Sequence, residues 1–255
     1  MPFTLSHAVL APPIAKITRL PLAPLAIGCM TPDFARIISD DKNFAFIAHR
    51  WQGLIYPDLW LGLACCVLWY TLYRPTLFHF AKINAPLALH TWLLKIRFLC
   101  LIPIAILLGT ATHIIWDGLT HLDFRTFAFH DILAQPIELL NKTYPLHRVL
   151  QIACSFITLP ILAFFMWTYW QKNRTHYHYS AADHTWCWLL IVLPSIAGVY
   201  AFYTFARLNM GLIKSDLYFF IGKSINHFAS ASLTAFTLLC ALFLLFYQFR
   251  QPTSS

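Results

Sequence analysis

Three side chains of metal-ligand type recur at intervals of four residues in GTATHIIWDGLTHLD, residues 109–123: His113, Asp117 and His121. On a continuous helix the spacing i, i+4, i+8 sets them along one slowly drifting face, so adjacent members can address one metal ion or two neighbouring ones. They stand at the end of a strongly apolar run, where an ionisable group favours a functional reading by default. The competing reading is structural: His113 and Asp117 hydrogen-bond each other or nearby backbone where a helix end meets water.

Further candidates lie near the amino terminus: His7 in TLSHAVL, Asp33 in CMTPDFARI and the pair His49-Arg50 in IAHRWQGLIYPD. Singly they carry little weight, because a histidine on an apolar face is more often a satisfied core residue, and Pro32-Asp33 is also a helix-start signature. Together with the triplet they supply neutral imidazole and carboxylate, the donor set of a divalent metal, zinc above all, with manganese or iron as alternatives. A hydrolytic site on such a set needs an open position for water.

These residues need elements to position them. The chain has 255 residues, of which 59% are hydrophobic and 11% charged, a balance outside that of soluble domains and expected of an integral membrane protein. Five runs have the length of a membrane-crossing helix: 59–73, 96–115, 149–169, 186–205 and 225–246. The runs are continuous rather than alternating, which predicts helices and not a barrel, so the expected fold is an all-α polytopic membrane bundle. It forms a single membrane domain, with an amino-terminal module of short re-entrant or interfacial helices at 1–58, a transmembrane bundle at 59–255 and a long polar loop at 116–148. Pro12, Pro13, Pro21 and Pro24 are expected to break any long helix in the module, and Thr4 and Ser6 are candidate caps of its first turn.

The net charge of +8 is spread along the chain instead of concentrated in an arm or patch, which argues for membrane topology and against nucleic acid. Arg74, Lys82, Lys95, Arg97, Lys172, Arg174 and Arg250 fall on one side of a five-span arrangement. That side is expected to be cytoplasmic, with the amino terminus outside, the carboxyl terminus inside, and 1–58 and 116–148 sharing the outer face. The opening residues lack the pattern of a cleaved signal peptide. Seven cysteines without a CxxC pair read as buried thiols, not zinc ligands. The histidine-rich stretch HYHYSAADH, residues 176–184, reads as a solvated loop, and Asp58 after Pro57 reads as a helix cap, with a role as partner to the ligands as the alternative.

MPFTLSHAVL, MTPDF at 30–34, the run H-x3-G-L-x2-P-D-L-x-L-G-L from His49 to Leu63, GTATHIIWDGLTH and YPLHRVLQ at 144–151 resemble, in this order, the bacterial membrane family called domain of unknown function 4184. More distantly, the order His7, Asp33, His49 and then H-x3-D is similar to the membrane-bound metal-dependent hydrolases, which include the LexA-binding inner-membrane group, and to the helical zinc-dependent phospholipase C and P1 nuclease group. The resemblance implies a metal held by His7, Asp33, His49, His113, Asp117 and His121 and a place in the bacterial inner membrane. It further implies hydrolysis of a phosphoester or phospholipid, with Asp33 or Asp117 accepting the proton of a metal-activated water and Arg50 or Arg148 gripping the phosphate as a planar donor fork. One departure stands out: the further H-x3-E pair of the zinc phospholipases has no counterpart, since Glu138 is the sole glutamate and no histidine precedes it by four. Two other classes stay open: a noncatalytic scaffold with a structural metal or polar cluster, and an ion or small-solute transporter. The near absence of charge in the third and fourth runs counts against the transporter. Oligomeric state is not legible.

Overall fold

The computed structural model describes residues 4–39, 41–139 and 141–250. Among them five helical stretches are long and apolar enough to cross a membrane: Trp51–Phe80, Trp92–Thr120, Leu146–Asn173, Ala181–Leu208 and Leu217–Tyr247. Each contains one of the five runs read from the sequence and extends it at both ends. The chain is an integral membrane protein of all-α class, with a single short hairpin among the described residues.

The elements are α1 (Thr4–His7), α2 (Ala11–Thr18), α3 (Leu22–Ile38), α4 (Lys42–Ala48), α5 (Trp60–Leu68), α6 (Arg74–Phe80), α7 (Trp92–Thr120), α8 (His130–Ala134), β1 (Pro136–Leu139), β2 (Lys142–Pro145), α9 (Leu146–Asn173), α10 (Ala181–Leu208), α11 (Met210–Ser215) and α12 (Leu217–Arg250). The stretch Trp51–Phe80 is irregular, with tighter and wider turns flanking α5 and an extended Tyr56. Two compact units result, one made of the chain up to Cys66 with Pro86–Gln171, the other of Val67–Ala85 with the chain from Lys172 onward.

The first unit is organised on the crossing of α3 and α7. A Cβ on Gly28 would lie 2.3 Å from the carbonyl oxygen of Ile106, and one on Gly109 would lie 2.3 Å from that of Leu25. The two backbones therefore touch, as small residues allow where helices pack without a water-driven force. Ala11, Leu25, Cys29 and Ala105 form the buried core at this crossing, with Ile14, Leu20 and Leu108 against it.

The amino-terminal module has the expected short helices in α1, α2 and α4, but α3 runs unbroken for 17 residues. Pro12 and Pro13 stand in the first turn of α2, Pro21 is the N-cap of α3 and Pro24 is in its first turn, positions whose backbone N–H would find no helical partner anyway. Pro32 lies inside α3 and leaves the carbonyl of Gly28 without its helical donor. Thr110 Oγ1, from α7, donates to that oxygen at 3.3 Å. Asp33 is accordingly a mid-helix residue and not a helix start. Ser6 is no cap either: it lies inside α1, buried, with its hydroxyl unpartnered.

The polar loop is also shorter than expected. α7 continues through Trp116–Thr120, α9 begins at Leu146, and between them lie α8 and the antiparallel hairpin of β1 and β2, turned by Asn141 in the left-handed region. Gln151 Nε2 of α9 donates to the carbonyl of Thr120 at 2.9 Å and satisfies one oxygen at the exposed end of α7.

In the second unit α10 packs along α12, where Ser232 Oγ donates to the carbonyl of Pro194 at 2.9 Å. Tyr73 and Thr237 share a 2.6 Å hydrogen bond, and His79 pairs with Asp183 at 3.0 Å. Ser180 and Asp183 form a reciprocal capping box at the start of α10. The stretch 176–184 is thus only partly a loop: its tyrosines flank Lys82, whose ammonium lies 4.1 Å from the Tyr179 ring, and its last residues begin a helix.

The crossing makes a direct prediction. Gly109→Val forces apart two touching backbones and destabilises the protein by about 2 kcal/mol or more, read as a thermal midpoint in detergent lowered by about 5 °C or more. Gly211→Ala, where an added Cβ meets nothing within 4 Å, leaves the midpoint unchanged.

Candidate metal centre

The last turns of α7 carry His113 and Asp117 toward α3 and the amino-terminal elements. A 29-residue helix is about 43 Å long, more than the thickness of a hydrocarbon core, and these residues stand at its carboxyl end. His7 ends α1, Asp33 stands in the penultimate turn of α3, and His49 caps α4. All of them, with His121, are buried.

Two imidazoles are fixed in one tautomer by the backbone. His113 Nδ1 donates to the carbonyl of Cys29, and His49 Nδ1 to that of Ala45, each at 2.8 Å. A carbonyl oxygen only accepts, so in the neutral ring Nε2 carries a lone pair. That lone pair of His49 faces Asp33 Oδ1 at 3.3 Å, and that of His113 faces Asp117 Oδ2 at 3.6 Å. A lone pair opposite a carboxylate is repulsive unless a proton or a cation lies between them. Metal-bound histidines are held in this way, with the second nitrogen donating to a carbonyl or carboxylate.

Asp117 is the hub. Its Oδ1 lies 3.6 Å from His7 Nε2 and 3.3 Å from His121 Nδ1, and its Oδ2 lies 4.0 Å from His49 Nε2. The rings of His7 and His113 stack at 3.8 Å between centroids. Two ligand groups emerge, His7 with His113 and Asp117, and Asp33 with His49 and His113, each with its donor atoms within 4.8 Å of one another. His113 belongs to both. Its Nε2 and Asp117 Oδ1 are buried without a hydrogen-bond partner, the state expected of atoms that await a cation.

Five of the six expected ligands therefore converge. His121 is drawn to Asp117 but belongs to neither ligand group, because α7 ends at Thr120 and His121 takes an extended backbone. Its Nδ1 lies 3.2 Å from the carbonyl of Asp117, and its Nε2 is buried and unpartnered. The expected phosphate grips fall elsewhere. Arg50 is exposed with its guanidinium 3.9 Å over the Phe46 ring, and Arg148 stands exposed on the first turn of α9.

Two groups, Arg125 and Arg36, have no signal in the sequence, and a third, Asp58, departs from its expected role. Arg125 donates from Nη1 to Asp117 Oδ2 at 2.7 Å, and from Nε and Nη2 to the two oxygens of Asp123 at 2.9 and 2.5 Å. Arg36, one turn beyond Asp33 on α3, lies within charge range of Asp33, Asp117, Asp123 and Arg125. Asp58 is not a cap: it is fully buried, both oxygens lack a partner, and it lies within charge range of His113.

Burial and the neighbouring His113 push His7 down to about 3, and burial with Arg125 holds His121 at about 4 against the pull of Asp117. Burial likewise lowers His49 despite Asp33. For Asp33, burial acts upward but is outweighed by His113, His49 and Arg36, so the carboxyl stays well below its usual range. The amino-terminal ligands are thus neutral imidazole and ionised carboxylate at pH 7, the protonation state a metal requires.

Fold and site define a polytopic helical membrane protein with a buried His–Asp cluster at one end of a spanning helix. The chain belongs to the family described as Domain of unknown function (DUF4184), whose model matches residues 1–249. No curated protein and no solved structure matches it.

The lowered histidines set the pH dependence of stability. Below the ordinary imidazole value of 6.5 the unfolded chain takes up protons that folded His7 and His121 refuse until about pH 3 to 4, so stability falls as pH drops from 6.5 toward 4. Thermal midpoints of metal-free protein at pH 7.5 and 5.0 check this, the lower pH giving the lower midpoint. Asp58→Leu removes two unpartnered buried oxygens and raises the midpoint of the same preparation, since exchanging a buried polar group for an apolar one is often stabilising by about 1–4 kcal/mol.

Proposed function

We propose that this protein is a membrane-embedded metal-dependent hydrolase whose substrate is a phosphoester or phospholipid at headgroup depth. The observation that carries the reading is the pair of imidazoles, His49 and His113, locked by backbone carbonyls with Nε2 turned on the carboxylates of Asp33 and Asp117. His7, His49, His113, Asp33 and Asp117 would hold one divalent ion, and His121 would brace Asp117 from behind. Zinc suits the all-nitrogen-and-oxygen donor set, with manganese or iron as alternatives.

A divalent ion so held would lower the pKa of a coordinated water and polarise a phosphoryl oxygen. The chain's own residues do the rest. Asp117 is already committed to Arg125, which leaves Asp33 as the carboxylate we assign to accept the proton of the attacking water. The carbonyls of Cys29 and Ala45 keep the imidazoles oriented, and the apolar helices around them hold the site at low polarity, where charge interactions are stronger. The similarity of the order His7, Asp33, His49 and H-x3-D to metal-dependent hydrolases supports the same class. On this reading the chain lies in a bacterial inner membrane with the cluster at the outer face, in keeping with the bias of its basic residues.

Elemental analysis of detergent-purified protein tests the proposal. Near one equivalent of zinc, manganese or iron per chain is expected, with at least a tenfold loss in His113→Ala and in His49→Ala and little loss in His121→Ala. Folded protein that takes up no metal on reconstitution would move the weight to a scaffold in which Arg125 and the histidines neutralise Asp117 alone, the alternative that the 2.7 Å Arg125–Asp117 pair favours.

A further inference from the structure

We infer that Arg125 and Arg36 form an anion subsite beside the His–Asp cluster, and that the group it takes is a phosphate. The inference deepens the hydrolase reading and rests on it. Arg125 is on a short turn directly after α7, and the turn is well tied. Arg125 N–H donates to Asp123 Oδ1 at 3.0 Å, Asp123 N–H donates to Thr126 Oγ1 at 3.0 Å, and Thr126 Oγ1 donates to the carbonyl of His121 at 2.5 Å. Phe124 packs on Phe46 of α4 with ring centroids 4.4 Å apart, and the Phe127 ring occupies the space over Gly118. The guanidinium is therefore delivered to the cluster by a rigid loop, with its side chain only 7% exposed.

Arg36 arrives from the other wall. It stands on α3 three residues after Asp33 and is in charge range of Arg125. Two guanidinium groups thus share one partly desolvated place, and among the described residues three carboxylates face them: Asp33, Asp117 and Asp123. A divalent ion on Asp33 and Asp117 takes two of those three out of the balance and leaves Asp123 facing both arginines. Desolvated guanidinium groups with too little countercharge bind an anion. Their planar donor forks match the oxygens of a phosphate better than any ammonium does, and Arg125 already presents three of its five donors in fork geometry to carboxylate oxygens. A phosphate that replaces Asp123 on Arg125 would stand next to Asp117 and hence next to the ion. Arg50 is exposed over Phe46, and among the described residues no carboxylate is paired with it.

The phosphate is either free or part of a lipid headgroup, and two probes separate these. Isothermal titration of zinc-loaded, detergent-purified full-length protein with inorganic phosphate forms one arm, and with short-chain phosphatidylglycerol the other. The expected result is binding of at least one probe to the zinc-loaded protein and not to the metal-free protein. Arg125→Gln and Arg36→Gln each weaken it at least tenfold at unchanged zinc content, and Arg50→Gln changes it less than twofold. Binding of the lipid alone assigns the subsite to a headgroup, and binding of both assigns it to the phosphate itself. Should Arg125→Gln fail to fold, Arg125→Lys, which keeps the charge and removes the fork, carries the test together with Arg36→Gln. Zinc-loaded protein that binds neither probe, or binds equally in both arginine variants, overturns the inference while leaving the metal centre standing. A wild type without zinc is the separate failure of the hydrolase reading.

Discussion

The hydrogen bond from His113 Nδ1 to the carbonyl of Cys29 is the contact on which the rest of the cluster depends. It joins α7 to α3 through a side chain and a backbone atom, and such a bond forms only if the two helices approach more closely than side chains permit. Gly28 and Gly109 provide that approach. From it follow the tautomer of His113, the aim of its Nε2, and the stacking of His7 on its ring. The distance between Asp33 on one helix and Asp117 on the other is set by the same crossing. The site is thus a property of a helix pair, and the module before Trp51 is folded onto that pair.

Apolar surroundings make such an arrangement exacting. A buried polar group without a partner costs about 1–3 kcal/mol, and a buried charge more. The carbonyl freed by Pro32 is met by Thr110, and the carbonyl end of α7 is met in part by Gln151. Against that background the unpartnered atoms are few and grouped. Ser6 Oγ, His7 Nδ1, His113 Nε2, Asp117 Oδ1 and His121 Nε2, with both oxygens of Asp58, belong to the cluster or to the elements that carry it. Thr76 Oγ1 lies outside it, and the indole of Trp116 stands edge-on to His7. Of these atoms, His113 Nε2 and Asp117 Oδ1 are the two that a cation in the ligand groups would meet.

Much of this was legible in the sequence. The five spans follow from uninterrupted apolar runs, and His113 with Asp117 follow from a four-residue spacing that α7 preserves. His7, Asp33 and His49 were reachable through motif order, although none of them announces itself by local pattern. What failed did so for physical reasons. Prolines were counted as breakers without regard to their place in the first turn, where a proline removes nothing, and so α3 was missed. His121 was placed on a helix that stops one residue earlier. Asp58 has the look of a cap in sequence, and only burial shows otherwise. Nothing in the sequence marks Arg125, because the bend that returns it to Asp117 is made by Asp123 and Thr126 and leaves no periodic trace.

The cluster also explains why the amino-terminal elements stay folded on the spanning helix although α1 and α4 are only four and seven residues long. Helices so short have little stability of their own. A cation held by His7 and His49 together with Asp117 and Asp33 would anchor them to the spanning helix. Zinc K-edge X-ray absorption on the zinc-loaded protein tests this account most directly. A first shell of only nitrogen and oxygen at about 2.0–2.2 Å, with the outer-shell scattering of at least two imidazoles, is the predicted spectrum. A sulfur shell at about 2.3 Å, or a spectrum without imidazole scattering, would contradict it.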